Sequence, residues 1–530
     1  MTRRELIWRA AQAGGYSAAF VLMRSMDLVA SPQGPATPFQ LAPNTGRGTK
    51  IAIIGAGVAG LIAAYELRRS GFDCTVLEAR ARPGGRNWTI RRGDKVEFAN
   101  GTVQQCAFDE GQYFNAGAGR IPAIHRTILG YCRELGVPME VLVNSTRATL
   151  LQSDRVFEGR PLEQRQVIND TRGHVAELLA KAIRRGALDE EVTRADRERM
   201  LAFLQTYGDL SSEFLYEGSS RAGVKQFSGA AQQEQVGREP LALSALLDGA
   251  FWQGILFEER LDMQATMFQP VGGMDRIPYA FAQKLGTAVK FGCPVSEIRK
   301  TPTGVRVVYN ERGTPQIVNA SYCICTVPLG VLKRTKHDLS SRVVSALDQV
   351  DYASGYKIAW QSRRFWDQED NIYGGISWLS AGPISLTSST LANVWYPSNG
   401  MLSEKGVLIA GYGTETGQFG ALSSISEKIA ASRAAVEKLH PGRSKELTHP
   451  LYVSWANIPF SLGSWVRAGA DPIAKTPDYY NVPYKEFLIP DDRIYFAGDY
   501  CSHLASWQEG AALSAQRTVQ LIAERVRQVQ

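Results

Sequence analysis

Apolar positions fall into distinct textures along the chain. Residues 50–54 form a short, nearly unbroken apolar run that ends in glycines. Such a run reads as a strand buried on both faces. Residues 58–70 then carry Leu61, Ala64, Tyr65 and Leu67 at helical spacing and stop at Gly71, the residue expected just past a helix C-cap. A second strand is predicted at 74–77. From about 123 to 235 the texture is helical and charged, with apolar residues every three or four positions at 175–185 and 190–207. Short strands return between 289 and 325, including 304–309. From 335 to 483 the pattern is mixed, with β-rich runs such as 407–412. A last helix is predicted over 509–529.

The first strand, helix and strand frame a glycine turn, Gly55-Ala56-Gly57-Val58-Ala59-Gly60. Gly55 allows the tight turn, and Gly57 lets backbone approach a pyrophosphate. Gly60 lets the helix pack closely on the strand. The helix N-terminus, with Ala59 in its first turn, turns free amides and a positive dipole end toward the phosphates. Glu78 ends the second strand, at the offset where an acid accepts hydrogen bonds from ribose hydroxyls. This unit predicts a dinucleotide and leaves NAD and FAD open.

The residues that follow narrow the choice. Residues 78–86, with Ala79, Arg80, Gly84, Gly85 and Arg86, resemble the double-glycine motif of the flavin amine oxidase family. Residues 323–333 are similar to a second hallmark of that family. So is Phe496-Ala497-Gly498-Asp499, with 506–511 after it, while the run 270–275 fits the same frame without a role of its own. The resemblance covers about residues 50–523 and lies closest to L-amino acid oxidases. It implies an α/β protein: a discontinuous Rossmann-type FAD-binding domain with a mixed-sheet α+β substrate domain and an inserted helical domain. The expected division is an N-terminal segment and linker at 1–45, FAD-binding parts at 46–122 and 485–530, and a helical domain at 123–240. Residues 241–334 then hold the substrate-domain edge with the middle FAD-binding part, and 335–484 the substrate-binding domain.

The resemblance also assigns roles. Gly119 and Arg120, in 115–122, match the segment that supplies an arginine to a substrate carboxylate. A guanidinium suits that task because it binds a carboxylate through two parallel charge-assisted hydrogen bonds. Tyr396 matches a tyrosine that shares the carboxylate. Lys357 matches a lysine that holds a water near flavin N5, and a lysine among apolar strand neighbours needs a polar task. Trp455 matches a tryptophan against the flavin ring. Trp465, Ser506 and Trp507 fall where the family lines its substrate pocket, with Trp507 also near the cofactor. Asp499 matches the acid on the ribityl chain, and Val295 matches a strand that meets the adenine by its backbone. His125 and His503 are the histidines nearest these motifs, and a lone histidine is more often structural, so neither is assigned as the base.

Composition changes little in this picture. A net charge of +7 over 530 residues is a mild bias. It suits an anionic substrate and does not point to nucleic acid. The seven cysteines and six histidines have no metal-ligand spacing, so no metal is expected. Nothing near residues 461–465 offers a flavin-linking cysteine, so the FAD is expected to be non-covalent. The start, Thr2-Arg3-Arg4 and then a small and apolar stretch, supports two readings: a twin-arginine export signal or an amphipathic docking helix. Localisation, cytoplasmic or exported, stays open with it. No stretch reaches the ~18 apolar residues that span a membrane.

The expected reaction is oxidation of an L-amino acid, large apolar or aromatic, by hydride transfer from Cα to flavin N5. Water then releases a 2-oxo acid and ammonia, and O2 leaves as hydrogen peroxide. A homo-oligomer is expected by resemblance. The alternatives are an amino acid 2-monooxygenase giving an amide, an amine or polyamine oxidase, and a non-catalytic flavin-binding protein.

Overall fold

A computed structural model describes residues 39–188, 192–380, 393–467, 469 and 478–529. The export-signal and docking-helix readings fall on residues outside these. Along the chain, β1 (Lys50–Ile54) passes through the glycine turn into α1 (Val58–Arg69) and returns as β2 (Asp73–Leu77). Next come α2 (Arg126–Glu134), β3 (Leu150–Ser153) and β4 (Leu162–Glu163). A helix pair follows, α3 (Gln164–Arg184) and α4 (Arg194–Gly208). β5 (Val289–Lys290) and β6 (Tyr322–Cys325) bracket three antiparallel strands between Val295 and Ala320. β7 (Gly355–Arg363), β8 (Ile376–Ser380), β9 (Asn393–Trp395), β10 (Lys405–Thr414) and β11 (Thr448–Ser454) follow. β12 (Ile494–Phe496) and α5 (Gln508–Val529) complete the described chain.

Five of these strands form a parallel sheet in the order β5-β2-β1-β6-β12. Chain order and spatial order part company at β1. On one side lies β2, reached through α1. On the other lies β6, with Ile51 opposite Tyr322, and β6 in turn pairs Cys323 with Ile494 of β12. Ala52, Ile53, Cys323 and Cys325 are fully buried, because helices cover both faces of a parallel sheet. α1 packs on α5. The buried face of α5 includes Ala512, Ala515, Val519, Ile522 and Ala523, small enough in part for a close approach. Each buried Ile or Val contributes roughly 1.5–3 kcal/mol. The sheet therefore holds segments that lie hundreds of residues apart.

The second large sheet has seven strands in the order β4-β3-β8-β9-β10-β7-β11. It is mixed: β3 and β8 run parallel, and the other pairs are antiparallel. Its core holds Trp360, Trp366, Phe365 and Tyr396. The helix Ile425–Leu439 packs on it, started by a capping box of Ser424 and Glu427.

The charged stretch 123–235 is not helical throughout. Met139–Leu142 pairs with Met267–Pro270, and β3 and β4 extend the seven-stranded sheet. Strands of two to four residues are too short to leave a period that can be read. α3 also starts well before residue 175, at Gln164, burying Val167 and Ile168 in its first turns.

The junction of α1 with β1 has no spare room. A Cβ on Gly60 would lie 2.0 Å from the Gly55 carbonyl oxygen and 3.0 Å from Thr326 Oγ1. The first contact is backbone and cannot rotate away. Gly60→Ala is expected to destabilise the fold by about 1–3 kcal/mol, seen as a lower denaturant midpoint at unchanged slope. An unchanged midpoint would show that α1 does not need this approach.

Candidate functional site

A cavity opens at the C-terminal ends of the parallel strands, where strand order reverses and ligands of such sheets bind. It holds ≈ 1890 Å³ of space, its mouth included. The β1–α1 turn contributes Gly55, Gly57 and Ala59. The end of β2 adds Glu78, Ala79 and Arg80, and the double glycine adds Gly84, Gly85 and Arg86. Gly119, Arg120, Val295, Lys357, Trp455, Trp465, Gly498, Asp499, Ser506 and Trp507 complete the predicted set in the wall. Two residues of that set stand outside it, Gly60 and Tyr396. Gly60 lies behind the turn, as the helix packing requires.

One half of the cavity is shaped by backbone. A Cβ on Gly57 would meet nothing within 4 Å, so this glycine faces open space. Gly84 bridges to it from the next loop, and a Cβ on Gly85 would lie 3.6 Å from the Gly57 Cα. α1 starts at Gly57 with no side-chain cap and no acid in its first turn, leaving its amides for an anionic ligand. Glu78 braces this cradle. Its Oε2 accepts from Ala56 N at 2.8 Å and its Oε1 from Arg80 N at 2.9 Å. Each oxygen keeps a lone pair for a ribose hydroxyl. Arg80 donates to Pro459 O and to Ser461 Oγ at 2.8 Å. Arg86 pairs with Asp499 through both guanidinium nitrogens, one at 3.2 Å. Asp499 also accepts from Ser506 N at 3.0 Å. An open glycine cradle, an uncapped helix end and flanking arginines fit the phosphates of a flavin dinucleotide. Those residues would hold it.

The other half carries two cations among aromatic rings. Arg120 follows a loop that must be small: a Cβ on Gly117 would lie 1.7 Å from the Arg86 carbonyl oxygen. Its Nη1 donates to Asn144 Oδ1 at 2.7 Å. Its guanidinium lies 4.4 Å from the Trp395 ring centroid and 5.3 Å from that of Phe257. Among the described residues no carboxylate lies within ion-pair distance of it. Burial lowers its pKa to about 10. Lys357, on β7, is 2% exposed. Its Nζ donates to Asn115 O at 2.9 Å and to Gly117 O at 2.6 Å. Burial, reinforced by the Arg120 charge, lowers its pKa from 10.5 to about 7. A neutral amine has two N–H donors, and both carbonyls are then served. Its lone pair stays available to a water or a proton.

Tyr396, expected to share a substrate carboxylate with Arg120, is not in the cavity wall. It follows β9, where successive side chains take opposite faces. Val394 and Tyr396 point into the core of the seven-stranded sheet. The Tyr396 hydroxyl is held there by Ser377 Oγ at 2.8 Å and His440 Nε2 at 2.6 Å. Trp395, one residue earlier, lines the cavity instead. Two tyrosines line the cavity, Tyr356 on β7 and Tyr412 on β10, the latter directly opposite Lys357 in register. The Tyr412 ring centroid lies 5.0 Å from Lys357 Nζ.

The glycine run at 270–275 also stays out of the wall. It buttresses the loop that carries Arg120. Met274 N donates to Asn115 Oδ1 at 3.0 Å, and Asp275 N donates to Thr89 Oγ1 at 3.1 Å. His125 is buried with its ring 4.9 Å from Trp507. His503 is exposed and stacks on Tyr480. Neither histidine is in the wall. Sequence reasoning missed Arg260, Asp262 and Met263 at the wall. They sit in a short 3-10 segment and its flank with no motif or period to mark them.

The Lys357 shift carries a testable sign. Between about pH 7 and pH 10.5 the unfolded chain binds more protons at this residue than the folded chain. The cost of burying the amine is therefore complete below pH 7 and fades as pH rises to 10.5. Lys357→Met should gain most stability over wild type below pH 7. That gain should shrink through the same window in paired unfolding curves. A gain independent of pH would show that the buried amine does not titrate there.

Known proteins supply the remaining comparison. An L-amino-acid oxidase of Echis ocellatus is 26% identical over 498 residues, covering 89% of both chains. One from Bothrops pauloensis is 27% identical over 498 residues, covering 89% of this chain and 90% of that protein. A solved putrescine oxidase, bound to putrescine, superposes with a TM-score of 0.58 at 18% identity, covering 90% of this chain and 99% of its own. The family described as flavin containing amine oxidoreductase matches residues 58–523. With a match of that span, the chain belongs to the flavin containing amine oxidoreductase family.

Proposed function

We propose that this flavin amine oxidoreductase oxidatively deaminates L-amino acids, preferring large apolar or aromatic side chains. The observation that carries the reading is Arg120. It is a cation at the cavity wall, and no described carboxylate is within ion-pair distance; Asp262, in the same wall, acts on it only from farther away. A substrate carboxylate would complete it through charge-assisted hydrogen bonds, whereas an amine without a carboxylate would leave it unpaired. The L-amino-acid oxidases at 26% and 27% identity support the same class. Trp395, Tyr412, Trp455, Phe460, Trp465 and Trp507 line the cavity and favour a broad apolar side chain.

A flavin held by the glycine cradle, Arg80, Arg86 and Asp499 would supply the electron chemistry: acceptance of the Cα hydrogen as hydride and return of two electrons to O2. The chain supplies position and charge. Arg120 anchors the carboxylate and so orients Cα. The aromatic wall excludes water from the apolar side chain. Neutral Lys357 offers its Nζ lone pair to a water or to a proton leaving the substrate ammonium. Water adds to the imino acid product to give the 2-oxo acid and ammonia. No cysteine is in the described wall, and the Cys501 thiol is directed at Phe487 O. On this reading the FAD is held without a covalent cysteine link.

A second reading, an amine oxidase, draws on the putrescine oxidase likeness and on Asp262, an acid in the wall that could attract an ammonium group. Anaerobic bleaching of the flavin by a panel of L- and D-amino acids and amines separates the two, with peroxide read on admitting air. The expected result is bleaching by aromatic L-amino acids. Arg120→Ala should lower their kcat/KM by about 100-fold, roughly the ~3 kcal/mol of a strong charge-assisted bond. If turnover survives that change intact, the substrate class is wrong.

A further inference from the structure

Asn144 is buried, 7% exposed, and touches both the cation and the loop beside it. Its Oδ1 accepts from Arg120 Nη1 at 2.7 Å, and its Nδ2 donates to the Met263 carbonyl at 2.9 Å. The two partners allow one orientation of the amide, since a guanidinium only donates and a carbonyl only accepts. Met263 lies in the cavity wall with Arg260 and Asp262. Asn144 itself is outside that wall. It occupies the position from which an acid would pair with Arg120, yet it carries no charge.

We propose that Asn144 is a positioning residue that sets the preference for a carboxylate at Arg120. The inference rests on the reading of Arg120 as a carboxylate anchor. Three contacts hold the guanidinium: the Trp395 face, the Phe257 face and Asn144 Oδ1. The rings fix its plane, and Asn144 fixes its rotation within that plane. Because Asn144 is neutral, its contact leaves the guanidinium without a paired carboxylate, and Asp262 acts on it only from beyond ion-pair distance. An aspartate of the same shape would satisfy the guanidinium from behind and remove its demand for an anion. It would also set an acceptor against the Met263 carbonyl. Loss of selectivity for the carboxylate, rather than loss of affinity in general, is therefore the distinguishing sign.

The test compares two ligands in the flavin-loaded enzyme, 3-phenylpropionate and its neutral amide 3-phenylpropionamide. Dissociation constants are read from the change in flavin absorbance and by calorimetry. Wild type should bind the acid more tightly, and Arg120→Ala should abolish that preference. Asn144→Asp should weaken the acid by at least about tenfold, the scale of one charge-assisted hydrogen bond, while the amide changes by less than about threefold. Asn144→Ala keeps the charge and loses the brace. It should raise KM for L-phenylalanine by about 3- to 10-fold at nearly constant kcat. It also carries the test if the aspartate variant does not fold. Equal weakening of acid and amide by Asn144→Asp would overturn the proposal, as would an Asn144→Ala effect on kcat alone. A wild type without preference for the acid, or an Arg120→Ala variant that keeps it, would instead overturn the anchor reading.

Discussion

The Arg86–Asp499 pair joins the two ends of the binding site. The residues lie 413 positions apart and meet side by side, with both guanidinium nitrogens on the carboxylate. Arg86 also donates to the Ser464 carbonyl, and Asp499 accepts from Ser506 N. One ion pair thus ties the double-glycine loop, the 461–465 segment and the turn before α5 around one cavity. A partly buried pair of this kind adds little net stability over an apolar pair, but removing one partner strands the other charge. Its value here is geometric. The parallel pairing of β1, β6 and β12 brings the segments near each other, and the ion pair sets their final spacing.

Charge organises the opposite half. Arg120 and Lys357 share one cavity; burial lowers the proton affinity of both, and the Arg120 charge lowers that of Lys357 further. The arginine stays charged because its intrinsic affinity is so high. The lysine yields, and its pKa falls to about 7. A permanent cation and a titrating amine thus come from the same loss of water, with the cation's charge pressing on the amine. An anionic ligand on Arg120 would offset the repulsion felt at Lys357 and favour its proton. Binding at one group is linked to protonation at the other. Trp395 and Tyr412 stand beside both groups and keep them out of water.

Some of this site was legible in the residues alone. Gly55 and Gly57 were readable from the strand–turn–helix that frames them, and Gly84 and Gly85 from motif resemblance; Gly55, Gly84 and Gly85 take a positive φ, and Gly57 faces open space. Gly60 was readable because a Cβ there has nowhere to go. Arg120 and Lys357 were readable from motif resemblance and from the oddity of a charge among apolar neighbours. Tyr396 misled because facing depends on pleat parity, and a three-residue strand carries too little pattern to set it. Trp395 and Tyr412 were therefore passed over. Asn144, Arg260 and Asp262 had no local mark. They matter only for what stands opposite them.

The sequence by itself determined a dinucleotide-type glycine turn and, through several ordered motifs, the family. The turn follows from short-range rules of backbone geometry and close packing, which act within one strand–turn–helix unit. The tertiary structure alone decided which aromatic rings face the cavity, which group braces Arg120, and how far Lys357 is driven toward neutrality. Those depend on sheet register, on strand parity and on distances between charges far apart in the chain. No local pattern encodes them, because each is a property of two segments packed together.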